Sequence, residues 1–568
     1  MTETQPATVA RATPAARIAL AVITLGACVL VASTWHVFFA TWDEPEHLAA
    51  GVELLDRGYY EYDTEHPPIA RVVLALGPWL AGAHSFGTPP PSGVTEGEDI
   101  LYRDGKYDLY LTLARAGALP FLALLLLVTW LWARRMLAGE GAALLAVVLL
   151  LSVPPVLGHA GVAALDVAAA ATILLALYTL DRWLDTPSWR TAALFGLASG
   201  LAVGTKFSAV PYIGMSLMAL GLTHWVLGLR TPPAAPAATA AKRAGELVLV
   251  ALAALVPLFL AYGIRAPNEA RVAARFNWAV SYLLQQPGTV DHGFGVLLTH
   301  LSLPRELEDL VNGIVAVKAH NDGGHLSYLF GQVRMTGWWY FYLVALAVKT
   351  PLPLLASGSL GVGWLAREGW RSGDNWRITP ALLILAILLF ASSFSRINIG
   401  IRHVLILYPL LAIGAAWAVT RTWQGLRRWP NRRLAAAGAV ALAALLTWQL
   451  STLWTAWPDY LAWFNETVSH PERVLVDSDL DWGQDLRRLE KRAAELRIAR
   501  LSLAYRGTAD LNREPLPPFV ILPPRSPTTG WVAVSQLART RNLADYAWLN
   551  AYQPVEHIGK TIDLYYIP

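Results

Sequence analysis

The chain has 568 residues, 55% of them hydrophobic and 15% charged, with a mean hydropathy of +0.40. Those values exclude an ordinary soluble domain and fit a protein that lives mostly in lipid. The net charge of +4 does not argue for nucleic acid, because excess arginine and lysine in such a chain gathers in cytoplasmic loops.

An apolar stretch of roughly 20 residues crosses the hydrocarbon core, and about eleven follow one another here. They lie at 17–40, 109–132, 140–158, 162–181, 191–206, 208–228, 246–265, 337–364, 379–396, 402–420 and 434–456. Arg11 and Arg17, Arg134 and Arg135, Arg182 and Arg190, Lys242 and Arg243, Arg367 and Arg371, and the Arg421 to Arg433 cluster occupy alternate loops. That alternation predicts a cytoplasmic amino terminus with a tail at 1–16. The first stretch is long for a signal peptide and lacks a clear small-residue cleavage site, so it reads as a retained helix. The single cysteine, Cys28, lies in it and permits no intramolecular disulfide.

The long loops, 41–108 and 266–336, then fall outside, as does the tail after about residue 457. Asp43 to Leu55 suits a short helix, and His66-Pro67-Pro68 opens an apolar run, Ile69 to Ala81, too short to span; both suit the interface. TPPAAPAATA, residues 231–240, reads as a flexible cytoplasmic linker, and no internal repeat is evident. In the tail, VLVDSDLDW, ARLSLAYRG, GWVAVSQL and TIDLYYIP alternate as strands do, and Asp485 to Arg497 carries Leu486, Leu489, Ala493 and Leu496 on one helical face. The expected fold is an α-helical polytopic membrane unit, 17–456, with a small extracytoplasmic α/β domain, 457–568.

An ionised group in a span centre costs roughly 2.5–3.5 kcal/mol on insertion scales, so charges at helix ends have partners or tasks. Asp43 and Glu44 follow the first span; capping the next helix is their bland reading. His159 and Asp166 bracket an outer turn. Gly196, Gly200 and Gly204 permit close helix packing and lead to Lys206, which snorkelling alone would explain. Lys349 sits too deep to snorkel and calls for an anionic partner, while Arg396, Arg402 and His403 surround a short outer turn and look like a phosphate site. Glu44 and His47, with Glu46, Glu65 and His66 nearby, have the side chains for a divalent cation but no recognised spacing, so no essential metal is expected. Asp477, Asp479 and Asp481 imitate a calcium loop, yet Trp482 stands where its glycine belongs and Arg488 where its glutamate belongs. Acceptor glycan binding beside Trp482 is a second reading of that segment.

WDEPEH, HPPIARVVLAL, HAGVAALD, GLAVGTKFSA, VKTPLP and NIGIRHVLILYP occur in this order. The series resembles the GT-C superfamily of membrane glycosyltransferases. Within it the chain looks most like family 39, the dolichyl- or polyprenyl-phosphate-mannose protein mannosyltransferases and the aminoarabinose lipid A transferases, over residues 17–456. The resemblance implies inverting transfer of a sugar from a polyprenyl-phosphate donor to an acceptor hydroxyl on a protein, lipid or envelope glycan at the outer face. It implies Asp43 as base, Glu44 as the orienter of Asp43 or of the acceptor, and Asp166 as an electrostatic support. Arg402, His403, Lys349, Lys206 and Arg396 would meet the donor phosphate, and His66, His159 and Arg334 the acceptor or its support. High alanine, arginine and proline usage suggests a bacterial inner membrane. The competing readings are a transporter and a membrane scaffold for the carboxyl-terminal domain. Removing 457–568 is expected to leave an enzyme core with donor binding or turnover.

Overall fold

The structure is a computed structural model that describes residues 12–58, 60–88, 92–137, 139–230, 240–263 and 269–568. The Pro/Ala linker lies outside the described residues except for Ala240, which opens the following helix. Among the described residues, seven helices are long and apolar enough to cross a membrane: Pro14–Ala32, Tyr107–Met136, Asp166–Asp185, Ala209–Gly228, Ala240–Tyr262, Asn375–Phe394 and Arg432–Thr455. Two further candidates are broken. Glu140–Leu151 and Pro154–Ala160 meet at 71°, and Phe341–Lys349 and Leu352–Ser372 at 119°. The continuous spans expected at 140–158 and 337–364 are corrected accordingly, and proline is the reason. Val153 and Thr350 each precede a proline and adopt extended backbone, since the ring disfavours a helical residue before it. The stretches at 191–206 and 402–420 form Trp189–Val203 and Leu407–Arg427, the first too short and the second insufficiently apolar to count as spans.

Small residues draw the helices together. A Cβ on Gly200 would lie 2.0 Å from the Ala254 carbonyl, one on Gly196 2.4 Å from that of Val250, and one on Gly204 2.5 Å from the Ile69 side chain. The three glycines are therefore structural. Gly361 makes the same allowance, 1.8 Å from the Gly414 carbonyl.

At one end of the bundle the first helix stops at Ala32, not at residue 40, and turns lead to the helix Glu44–Arg57. Pro68–Leu80 packs against it, opened by the prolines as expected. Helices Glu269–Leu284, Val290–Thr299 and Arg305–Gly323 follow, then a hairpin of β1 (Ser327–Leu329) and β2 (Gln332–Arg334).

The carboxyl-terminal domain is α/β. Its strands are β3 (Leu501–Ala504), β4 (Phe519–Ile521), β5 (Gly530–Ser535), β6 (Glu556–Ile558) and β7 (Ile562–Ile567), in the order β4-β3-β5-β7-β6. β3 runs parallel to β4 and β5, while β7 is antiparallel to β5 and β6. The helix Leu486–Glu495 buries Leu486, Leu489 and Ala493 as its periodicity predicts. VLVDSDLDW forms no strand. Asp477–Asp479 is a single tight turn, because its polar groups bond to the membrane unit and are not free for a ladder.

Candidate active site

Asp43 occupies the cap position of Glu44–Arg57 but its side chain makes no capping bond. It instead accepts from Arg402 Nη1 at 2.5 Å. The same Nη1 lies 3.7 Å from Asp166 Oδ2, and Lys206 Nζ donates to Asp166 Oδ1 at 2.6 Å. Two carboxylates and two cations thus alternate across three distant parts of the sequence. A buried set of this kind holds together only when its charges balance, as they do here. The carboxylates differ in access: the Asp43 side chain is 22% exposed and that of Asp166 1%.

His159 lies 3.8 Å from Asp166, and its Nδ1 is buried without a hydrogen bond, as are Arg402 Nε and Asp166 Oδ2. Trp482, from the carboxyl-terminal domain, closes the cluster. The Arg402 guanidinium stands 4.5 Å from its ring centroid, and the His159 ring meets it edge-on at 5.8 Å. The Trp482 carbonyl accepts from the Trp42 N–H at 2.9 Å, so one residue touches both sides of the Asp43–Arg402 pair.

Glu44 points elsewhere. Fully buried, it takes a bidentate grip from Arg115 at 2.8 and 2.9 Å and accepts from the Thr41 and Ala163 N–H groups, each at 2.7 Å. It thereby ties the Asp43 loop to the turn that carries Asp166, without touching the Asp43 carboxylate. Arg115 escaped notice in the sequence, although an arginine inside the 109–132 stretch is itself a signal.

Lys349 is buried and donates to the carbonyls of Leu461 and Asp479 at 2.8 and 2.6 Å, while Asp479 Oδ1 accepts from the Ile401 N–H at 3.0 Å. Its task in the structure is to bind the carboxyl-terminal segment beneath Arg402. His403 stacks on Tyr342 with ring centroids 6.3 Å apart, and its main-chain carbonyl accepts from Tyr212 Oη at 3.0 Å. Arg396 donates to the Asp322 carbonyl at 3.0 Å, apart from Arg402. Arg334 lies over Trp338, 5.1 Å from the ring centroid, and bonds to Gln332. The 396–403 turn sends Arg396 outward, and the cation that joins Arg402 at Asp166 is Lys206.

A second polar cluster borders the first. His66 Nδ1 meets Asp63 at 2.9 Å, Asp63 pairs with Arg71, and Arg71 reaches His47 Nδ1 at 3.1 Å. Burial, with the Asp63 charge beside it, pushes Glu46 up to about 7, and Asp43 adds to the same effect. Both Glu44 oxygens accept from Arg115, and His47 Nδ1 faces the Arg71 guanidinium. Among the described residues no three His, Cys, Asp or Glu side chains are arranged to hold a metal.

Residues 41–231, about a third of the chain, match the family model described as dolichyl-phosphate-mannose-protein mannosyltransferase. A search of curated proteins gave no significant match. Among solved structures the chain is similar to ArnT from Cupriavidus metallidurans bound to undecaprenyl phosphate, with 13% identity and a TM-score of 0.43 over 96% of this chain and 97% of that one. It is also similar to the oligosaccharyltransferase AglB from Archaeoglobus fulgidus in complex with an inhibitory peptide and a dolichol-phosphate: 13% identity, TM-score 0.42, 76% and 55% coverage. The S. cerevisiae Pmt1-Pmt2 protein O-mannosyltransferase complex gives 16% identity and a TM-score of 0.32 over 45% and 33% of the two chains.

Proposed function

We propose that this polytopic membrane protein, whose residues 41–231 match the dolichyl-phosphate-mannose-protein mannosyltransferase model, is an inverting glycosyltransferase. Its donor is a polyprenyl-phosphate-linked sugar and its acceptor a hydroxyl presented at the extracytoplasmic face. The observation that carries the reading is the Asp43–Arg402–Asp166–Lys206 cluster, with one carboxylate open and its companion sealed. The sequence motifs that carry the family resemblance contain all four.

In this reading Asp43 takes the acceptor proton as the oxygen attacks the anomeric carbon. The bond to the donor phosphate breaks, and the departing polyprenyl phosphate carries the charge away toward Arg402 and Lys206, which stabilise it. Asp166 holds both cations in place beforehand and supports the oxocarbenium-like transition state. Because Asp43 shares Arg402, an arriving phosphate that draws the guanidinium toward itself frees the carboxylate for the acceptor. His159 supports Asp166, and His66 supports the neighbouring wall through Asp63. The sugar is a hexose or a pentose, and the setting is a bacterial inner membrane with the amino terminus cytoplasmic.

The test is donor turnover by the full chain in lipid nanodiscs, with labelled polyprenyl-phosphate mannose and aminoarabinose. Asp43→Asn is expected to lower transfer by about 10²–10⁴-fold with donor binding retained, the span expected for loss of a general base. Arg402→Ala should weaken donor binding and lower turnover by about 10²–10³-fold. Absence of binding and turnover by the folded wild type would refute the reading in favour of a transporter or scaffold.

A further inference from the structure

In the carboxyl-terminal domain, β3 and β5 are parallel neighbours and finish side by side, with the Arg506 N–H donating to Ser535 Oγ at 3.2 Å. The region outside the carboxyl ends of such strands is where open α/β sheets bind ligands. Here it contains Arg506, two residues past β3, and Arg541, which ends the helix after β5. The Arg506 guanidinium stands 5.6 Å from the ring centroid of Trp42, the residue before Asp43. Its Nε is buried and makes no hydrogen bond. Arg541 is exposed and lines a cleft with Ser327, Asn398, Thr540 and the half-buried Asp477.

Neither arginine has an ion-pair partner among the described residues. Burial and the charge of Arg541 pull Arg506 below its ordinary range. The cleft that Arg541 lines includes Ile399 and Asp477, and Arg506 stands over Trp42, next to Asp43, so the pair borders the catalytic cluster. A solvated surface arginine would explain Arg541 alone, but not the desolvated N–H of Arg506 facing a like charge. Such a group costs free energy until an acceptor reaches it. Guanidinium forks suit oxyanions.

We infer that Arg506 and Arg541 form an anion subsite that takes a phosphate or carboxylate carried by the acceptor, holding its hydroxyl near Asp43. This extends the glycosyltransferase reading to the acceptor side and rests on it for the word acceptor. In the proposed scheme the donor phosphate belongs to Arg402, which stands over Trp482, and to Lys206, whereas Arg506 stands over Trp42.

The test uses the full chain in phosphatidylcholine nanodiscs and equilibrium dialysis of labelled glucose 6-phosphate, glucuronate and glucose. Wild type should bind at least one charged sugar about tenfold or more tightly than glucose, the scale of a charge-assisted hydrogen bond. Arg506→Gln and Arg541→Gln should each remove most of that preference, and Arg402→Ala should retain it. Arg541 is exposed, so its variant serves even if Arg506→Gln misfolds. A gain for glucose 6-phosphate alone assigns a phosphate-bearing acceptor, and for glucuronate alone a carboxylate-bearing one. Equal binding of charged and neutral sugars, a preference that survives both glutamine variants, or its loss in Arg402→Ala overturns the inference. If donor turnover is absent but the arginine-dependent preference stands, the glycosyltransferase reading fails and the anion site remains.

Discussion

Asp43 shows how one side chain separates two roles that look identical in sequence. A carboxylate at a helix start normally caps it, and this one sits in the cap position yet turns away to Arg402. Its neighbour Glu44 does structural work, binding Arg115 and two backbone N–H groups in a sealed pocket. Glu44→Gln should therefore destabilise the fold by about 3–5 kcal/mol, the cost of stranding a buried partner, and a thermal unfolding series in detergent would show it. Trp482 makes a graded prediction. The Arg402 contact is worth roughly 0.5–2 kcal/mol in a desolvated setting, so Trp482→Leu should raise the donor KM by about two- to thirtyfold and Trp482→Phe by less. Equal KM values in all three proteins would remove Trp482 from the site.

At the scale of elements, most spans are legible because apolar length alone marks them, and the helices Glu44–Arg57 and Pro68–Leu80 because prolines and acids punctuate them. The breaks were partly legible: Pro154 and Pro351 stood in plain view, but a proline in a span also permits a mild kink, and only packing decides on 119°. Asp43, Asp166, Lys206 and Arg402 were all named from helix-end charges, whereas Lys349 was given to a phosphate and serves two carbonyls. Depth in a span tells that a lysine has a partner, not which one. The acidic run at 477–481 imitated a strand because alternation cannot distinguish a ladder from a loop pinned by outside partners. β4 and β6, each of three residues, are too short for a periodic signal.

The whole molecule behaves as one unit across its two parts. Lys349 grips carbonyls at 461 and 479, Ile401 bonds to Asp479, and the Phe39 N–H donates to the Gln484 carbonyl at 2.9 Å. The expectation that 17–456 forms a self-sufficient core gives way to a prediction: a chain ending at residue 456 should lose donor turnover, even if it inserts and its spans remain helical by circular dichroism. Stability should also depend on pH. Burial pushes Asp477 and Asp485 up to about 6 and Asp481 up to about 7, the last against hydrogen bonds from the Leu537 and Gly483 N–H groups. The folded domain then binds more protons than the unfolded chain from about pH 4 to 7, so stability falls as pH rises through that window. Thermal unfolding should come at a higher temperature at pH 5.5 than at pH 8, and Asp481→Asn should flatten the difference.

The stacking of Trp482 on Arg402 has a consequence for biogenesis. Asp43 is made long before Trp482, which follows Arg432–Thr455, the last candidate span among the described residues. Until then the cluster lacks the ring that closes it and the main-chain bond that steadies Trp42. On the proposed function, docking of the segment that carries Trp482 is the step that arms the site.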